Sequence, residues 1–126
     1  MIPDIIKNTL MVGCGSFAGG AVRYLVSFAI KTVSKGFPWG TLIVNLVGCL
    51  AIGLLWGFFS RTSNEGNSWA LFLMVGVCGG FTTFSTFSKE ALIMLQTGNI
   101  MGVLAYIGIS VIIGVALVAA GYYLAR

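Results

Sequence analysis

Residues 79–88 place two glycines, five hydroxyl side chains and three phenylalanines inside one apolar stretch of the chain. Irregular backbone and polar groups persist at membrane depth only where they are buried in protein or line a wet cavity. In a helix the rings form one stripe and the hydroxyls a neighbouring one. The rings are those of Phe81, Phe84 and Phe87, and the hydroxyls those of Thr82, Ser85 and Thr86. The run therefore predicts part of a permeation path.

These two stripes favour an anion as the permeating species. The edge of a phenyl ring carries partial positive charge without a formal charge, and a hydroxyl can donate to the same anion. The alternative is that the rings pack against lipid while the hydroxyls bond carbonyls one turn earlier. Because both stripes, continued by Ser88, follow a glycine pair, we favour the pore.

The pair Gly79-Gly80 predicts a break in this helix near the centre of the bilayer. Carbonyls that leave the helical hydrogen-bond ladder need partners, and in transporters such carbonyls often hold a cation. We therefore predict a buried monovalent ion, shared between two chains if two breaks meet on an axis. The alternative is that these carbonyls accept Ser or Thr hydroxyls.

Further polar residues lie in the other apolar stretches. Asn45 has Thr41 one turn before it, and a buried amide needs partners, so Asn45 either orients the path or ties two helices together. Tyr106 and Ser110, spaced i, i+4, predict additional lining of the path.

Arg23, Lys89 and Glu90 are the ionisable residues deepest in the apolar stretches, where such groups are costly and usually functional. Arg23 either attracts anions at a vestibule or extends to the membrane interface. Glu90 either pairs with a basic group or hydrogen-bonds near the exit of the pore. The chain has no His and no carboxylate pair, so the sequence indicates no enzyme.

The composition predicts how these residues are held. Of 126 residues, 58% are hydrophobic and 8% charged, against about 25% charged in soluble domains. Four apolar stretches, residues 11–30, 39–59, 69–95 and 100–124, approach or exceed the roughly 20 residues that span a membrane. We predict an all-α membrane protein with one four-helix domain over residues 1–126. The spacings Gly15 to Gly19 and Gly53 to Gly57 predict close helix contacts.

The basic residues give almost no orientation signal. With alternating helices, one face holds Lys7, Arg61 and Arg126, and the other holds Lys31 and Lys35. Three against two is scarcely a bias under the positive-inside rule. We therefore predict a chain that inserts in both orientations and pairs with an opposed copy, unless Arg23 and Lys89 tip the count.

Three motifs in this chain resemble the Fluc (CrcB) family of fluoride channels. Residues 40–45, GTLIVN, are similar to the family's GTLxxN motif, and residues 79–90 to its GGxTTFSTFSxE signature. Residues 19–24, GGAVRY, resemble its arginine motif in the first helix. The resemblance covers the whole chain, and Gly114 departs from it where some relatives carry a serine.

The resemblance implies an antiparallel dual-topology homodimer with two pores and a sodium ion buried at its centre. It implies ion-facing rings at Phe84 and Phe87, a pore amide at Asn45, and sodium-binding carbonyls at Gly79 and Thr82. The polar track that it implies consists of Ser85, Thr86, Tyr106 and Ser110. Fluoride as the ion is implied by the resemblance alone.

We therefore expect a passive fluoride channel of the bacterial inner membrane that lets cytoplasmic fluoride leave. One rival is a small proton-coupled multidrug exporter, which should carry an acid in its first membrane span, where this chain has Arg23. The other rival is a non-transporting membrane subunit, which leaves the two stripes unexplained.

Overall fold

The computed structural model describes residues 1–31, 36–64 and 66–126, and all regular structure in these ranges is helical. Lys35 and the side chain of Lys31, counted above for orientation, lie outside the described residues. The helices are α1 (Ile2–Lys31), α2 (Trp39–Arg61), α3 (residues 68–81), α4 (Ser85–Gln96) and α5 (Ile100–Ala125). Four helical segments are long and apolar enough to span a membrane, with α3 and α4 together forming the third. The prediction of an all-α chain with four spans is confirmed.

Helix α1 begins at Ile2 rather than at Met11, where the apolar stretch was predicted to start. Lys7 and Asn8 lower the local hydropathy, but neither residue breaks a helix. Asp4 in the first turn complements the positive end of the helix dipole. The extension also has a partner, because the Ser68 hydroxyl donates to Asn8 Oδ1 at 3.1 Å.

The helices pack in two parallel pairs. In the first pair Gly15 of α1 lies against Gly76 of α3, as Asn8 lies against Ser68 nearer the start of both helices. In the second pair Gly53 of α2 lies against Val118 of α5, and Gly57, one turn later, lies against Tyr122, one turn later in α5. Gly40 at the start of α2 lies against Ser27 near the end of α1, so the spans alternate in direction, as the charge count above assumed.

Glycines make these contacts possible. A Cβ at Gly15 or Gly19 would collide with a backbone carbonyl of α3, and a Cβ at Gly53 or Gly57 with a backbone carbonyl of α5. Small residues let membrane helices approach until their backbones touch. The prediction that both glycine spacings mark close helix contacts is confirmed.

The third span is broken after the glycine pair, and the prediction of a break at Gly79-Gly80 is wrong. Gly79 is helical, with φ −63° and ψ −38°, and helix α3 continues to Phe81. Thr82 is extended, with φ −86° and ψ 158°. Gly80 serves packing instead, because a Cβ there would lie 2.8 Å from the Cα of Ser16 in α1. The interruption also separates Phe81 from the stripe that Phe84 and Phe87 were predicted to share with it.

Two stretches are π-helical, Leu71–Cys78 in α3 and Ile109–Ile113 in α5. Such wide turns are rare and occur frequently at functional sites. The first ends just before the break, and the second contains Ser110. Both therefore lie beside the residues considered below.

Little of each span is buried within the chain itself. No more than 33% of the most apolar window of any span is buried. The main buried cluster joins α2, α4 and α5 and consists of Leu42, Ala91, Met94, Val103 and Tyr106. Most of the remaining helix surface is apolar and exposed, as expected where lipid or a second chain covers it.

Candidate functional site

The break in the third span is stabilised by side chains from other elements. Asn45 in α2 bonds both backbone groups of Thr83: its Nδ2 donates to the carbonyl at 3.0 Å, and its Oδ1 accepts from the N–H at 2.8 Å. Arg23 in α1 donates from Nε to the carbonyl of Gly80 at 3.2 Å. The hydroxyl of Thr83 accepts from the N–H of Thr86 at 3.2 Å and so caps α4. The Gly80 carbonyl and both backbone groups of Thr83 therefore have side-chain partners.

One cavity, here called the phenylalanine cavity, has a volume of about 320 Å³. Its wall contains both Phe84 and Phe87, whose ring centroids lie 5.8 Å apart with planes tilted by 43°. Phe84 is 79% exposed in the single chain, whereas Phe87 packs against Tyr106 at 4.9 Å. The other predicted site residues in this wall are Asn45, Gly79, Thr82 and Ser110.

Ser110 contributes a buried hydroxyl to the same cavity. Its Oγ has no hydrogen-bond partner among the described residues. Buried polar groups nearly always have a partner, so an unpaired one calls for a ligand, a water or a second chain. The hydroxyl lies in a wall that has no charged side chain.

A second cavity, here called the arginine cavity, has a volume of about 380 Å³. Unlike the first, it is lined by charged groups, the guanidinium of Arg23 and the carboxyl of Glu90. Thr41 and Thr86 line it as well, and Thr83 is common to both cavities. The backbone break therefore lies where the two cavities meet.

Tyr106 contacts a residue from each cavity. It is fully buried, with its ring against Phe87 and its hydroxyl donating to Glu90 Oε1 at 3.4 Å. The sequence predicted Tyr106 as exposed lining, paired along the helix with Ser110. The structure places it instead in the buried cluster with Leu42 and Met94, and it lines neither cavity.

Gly79 and Thr82 line the phenylalanine cavity, and their carbonyls were predicted to bind a cation. In a continuous helix they would accept from the N–H groups of Thr83 and Thr86, but those groups bond Asn45 and the Thr83 hydroxyl. The hydroxyl of Thr82 bonds back to the Cys78 carbonyl at 2.9 Å, which is the alternative considered for this stripe. Two backbone oxygens are thus available to a cation that prefers hard ligands.

Besides Tyr106, two further predicted residues line neither cavity. Ser85 and Ser88 are exposed on α4, where the helical stripe turns away after the break. Conversely, Thr83 was not among the residues that the sequence predicted for the site. Its signal was available, because a Thr three residues before the N–H of Thr86 at the start of a helix is a typical N-cap.

The fold and the site together define a small multi-pass membrane protein with an interrupted helix and polar cavities at the interruption. A sequence profile described as CrcB-like protein, Camphor Resistance (CrcB), matches residues 10–122. The chain belongs to the CrcB family.

Several curated relatives are similar over most of their length, and each is named fluoride-specific ion channel FluC. The protein of Desulfotalea psychrophila is 38% identical over 98% of this chain and 95% of its own. That of Methylobacterium nodulans is 43% identical over 94% of this chain and 96% of its own. That of Clostridium perfringens is 48% identical over 72% of each chain. The family is one of fluoride ion channels and not of enzymes.

Proposed function

We propose that this chain forms a passive fluoride channel of the bacterial inner membrane, through which fluoride leaves the cytoplasm. The observation that carries the proposal is the phenylalanine cavity, where two rings and an unpartnered hydroxyl meet without a charged side chain. Phenyl edges and hydroxyls attract an anion without binding it tightly. The names of the relatives supply fluoride as the ion.

In this proposal fluoride enters through the arginine cavity, where Arg23 attracts it and Thr41 and Thr86 replace part of its hydration shell. It then passes Phe84 and Phe87, whose edges carry only partial charge. Conduction requires binding that is favourable at several sites and strong at none. A cavity without a fixed cation satisfies that requirement because it contains nothing that would trap the anion.

The functional unit in the proposal is an antiparallel dual-topology homodimer with two pores. Three features support it: the nearly balanced basic residues, the small buried fraction of each span, and the 79% exposure of Phe84 beside the cavity. To test the orientation, Asn64 in the exposed loop after α2 is replaced by cysteine in a variant without Cys14, Cys49 and Cys78. Impermeant labelling of intact cells should modify about half of the copies, and labelling of all or none would rule out dual topology.

The proposal includes one structural sodium ion on the dimer axis, held by the carbonyls of Gly79 and Thr82. These oxygens fit sodium because they are hard ligands without negative charge, and a carboxylate there would repel the permeating anion. The ion would keep two opposed breaks together. It takes no part in conduction itself.

Fluoride efflux from proteoliposomes tests the function and separates it from both rivals. A passive channel releases fluoride without a proton gradient, whereas an exporter moves a cation against protons and a non-transporting subunit moves neither. The multidrug exporter would also need an acid within its first membrane span. Asp4, the only acid in α1, is 83% exposed near the start of the helix and pairs with the N-terminal ammonium at 3.8 Å. Absence of fluoride efflux from assembled protein would reject the proposed function.

A further inference from the structure

The two hydrogen bonds between Asn45 and Thr83 form a ring in which the side-chain amide takes the place of a second backbone. One bond uses the N–H of Thr83, at 2.8 Å, and the other its carbonyl, at 3.0 Å. The partners lie 38 residues apart in sequence. The amide can do this because it carries a donor and an acceptor side by side, whereas a carboxylate lacks the donor and an aliphatic side chain lacks both groups.

We infer that Asn45 is a positioning residue, which sets the direction in which α4 leaves the break and thereby places the two phenyl rings of the pathway. The inference rests on the proposed channel function and adds to that site a residue that orients the two rings. Asn45 does so through the Thr83 backbone. The pair of bonds uses its Oδ1 and one of its two amide protons.

The position of Thr83 explains why its orientation matters. Thr82, just before it, is extended, and Phe84, just after it, already has helical dihedral angles. The Thr83 hydroxyl also caps α4 through the N–H of Thr86. Rotation of the Thr83 peptide would therefore move the cap and the following turn together, and Phe84 and Phe87 lie in that turn.

Packing on the other side of the break holds Asn45 itself in place. Gly48, one turn after Asn45 in α2, lies directly against the Thr82 side chain. A Cβ at Gly48 would collide with the Thr82 Cγ2 atom and push the two elements apart. The short amide side chain can reach Thr83 only at this separation, so glycine and asparagine act together.

The test removes the hydrogen bond without altering any side chain. Thr83 is replaced by its α-hydroxy acid, which turns the amide into an ester, deletes the N–H donor and also weakens the Thr82 carbonyl as an acceptor. The same replacement at Thr97 is the matched control, since its N–H bonds Ile93 at 3.0 Å at the far end of α4. The Thr83 ester should lower fluoride efflux roughly tenfold or more, and the Thr97 ester should leave it unchanged.

A double-variant cycle then assigns the effect to Asn45. Asn45→Ala should lower efflux as the Thr83 ester does, and should add little in the ester background. If Asn45 served the anion alone, the ester would conduct like the parent, and that result would overturn the inference. If high sodium restores fluoride efflux by the Thr83 ester, the loss was caused by weaker sodium binding at the Thr82 carbonyl. That result would also overturn the inference. Loss of assembly in the Thr83 ester, with an assembled Thr97 ester, supports it.

A spectroscopic measurement separates the inference from the proposed function. With 4-fluorophenylalanine at position 84, the ¹⁹F resonance should shift in Asn45→Ala and in the Thr83 ester, in the same direction. The same label at position 58, at the end of α2, should not respond. Unchanged ¹⁹F spectra at position 84 would contradict the positioning role even if fluoride efflux were lost. If the parent protein fails to conduct fluoride but the variants show the ¹⁹F shift, the proposed channel function is rejected and the positioning role of Asn45 is retained.

Discussion

The phenylalanine cavity and the arginine cavity share Thr83 but are built from different chemistry. The arginine cavity has Arg23 and Glu90 in its wall, whereas the phenylalanine cavity presents rings, an amide and hydroxyls. Formal charge attracts an ion over several ångströms and also holds it. Partial charge attracts it weakly and lets it go. In the proposed channel, capture would therefore belong to the arginine cavity and passage to the phenylalanine cavity, on either side of one backbone break.

The largest effect should come from removing sodium, since the proposed ion would support the phenylalanine cavity in both subunits of the proposed dimer at once. In rigorously sodium-free medium we expect fluoride efflux to be abolished or the dimer to dissociate, with lithium or potassium substituting poorly. Efflux and chemical cross-linking measure the two outcomes. A channel that assembles and conducts normally without sodium would show that the freed carbonyls of Gly79 and Thr82 need no ion.

The next largest effect should come from the rings themselves. Phe84→Ile and Phe87→Ile remove the positive ring edge and keep a bulky apolar side chain, and a barrier raised by ~3 kcal/mol would slow efflux by roughly 100-fold. Both variants should still assemble, because isoleucine fills much of the space of the ring it replaces. Phe58→Ile, at the end of α2, is the matched control. If both variants release fluoride as fast as the parent, the two rings only pack and take no part in conduction.

Replacing Arg23 should affect capture more than passage. Arg23→Gln should lower efflux about tenfold at low fluoride and low salt, with a smaller loss at high salt, where charge is screened. Arg23→Lys keeps the charge but lacks the planar donor that bonds the Gly80 carbonyl at 3.2 Å. If Lys restores efflux, attraction is the main role of Arg23. If Arg23→Lys loses as much efflux as Arg23→Gln, the main role of Arg23 is its hydrogen bond to the Gly80 carbonyl at the break.

Tyr106→Phe should have the smallest effect, because it removes only the hydroxyl between the cavities. The bond to Glu90 spans 3.4 Å, which is long for a strong hydrogen bond. We expect a loss in stability of about 1 kcal/mol or less and a change in efflux of about two- to threefold. Thermal denaturation and efflux would measure these. A loss as large as that of Phe87→Ile would mean that Tyr106 belongs to the path itself.

Much of the fold could be predicted from the sequence because membrane spans depend on local properties. Length and apolarity marked four spans, and the spacings of Gly15 and Gly53 marked two helix contacts that the structure contains. The start of α1 was missed because hydropathy does not report that Lys7 and Asn8 are compatible with a helix whose end packs against Ser68.

The position of the break could not be predicted, because a partner distant in sequence determines it. Glycine pairs loosen a helix on average, yet Gly79 and Gly80 stay helical against α1, and the chain breaks where the Asn45 amide meets Thr83. The site was predicted in part for the same reason. Residues on α4 were assigned by helical periodicity from a start that lies three residues too early, so Ser85 and Ser88 were included and Thr83 was not.

The parallel pairing of the helices has a consequence for biosynthesis. The first two spans make their closest contacts with spans that the ribosome produces later, α1 with α3 and α2 with α5. Asn8 and Ser68, for example, are 60 residues apart. The glycine faces of α1 and α2 must therefore spend part of translation facing lipid. Insertion of the separate helices and their association in the membrane are distinct stages, and for this chain the second stage cannot finish until the last span has been made.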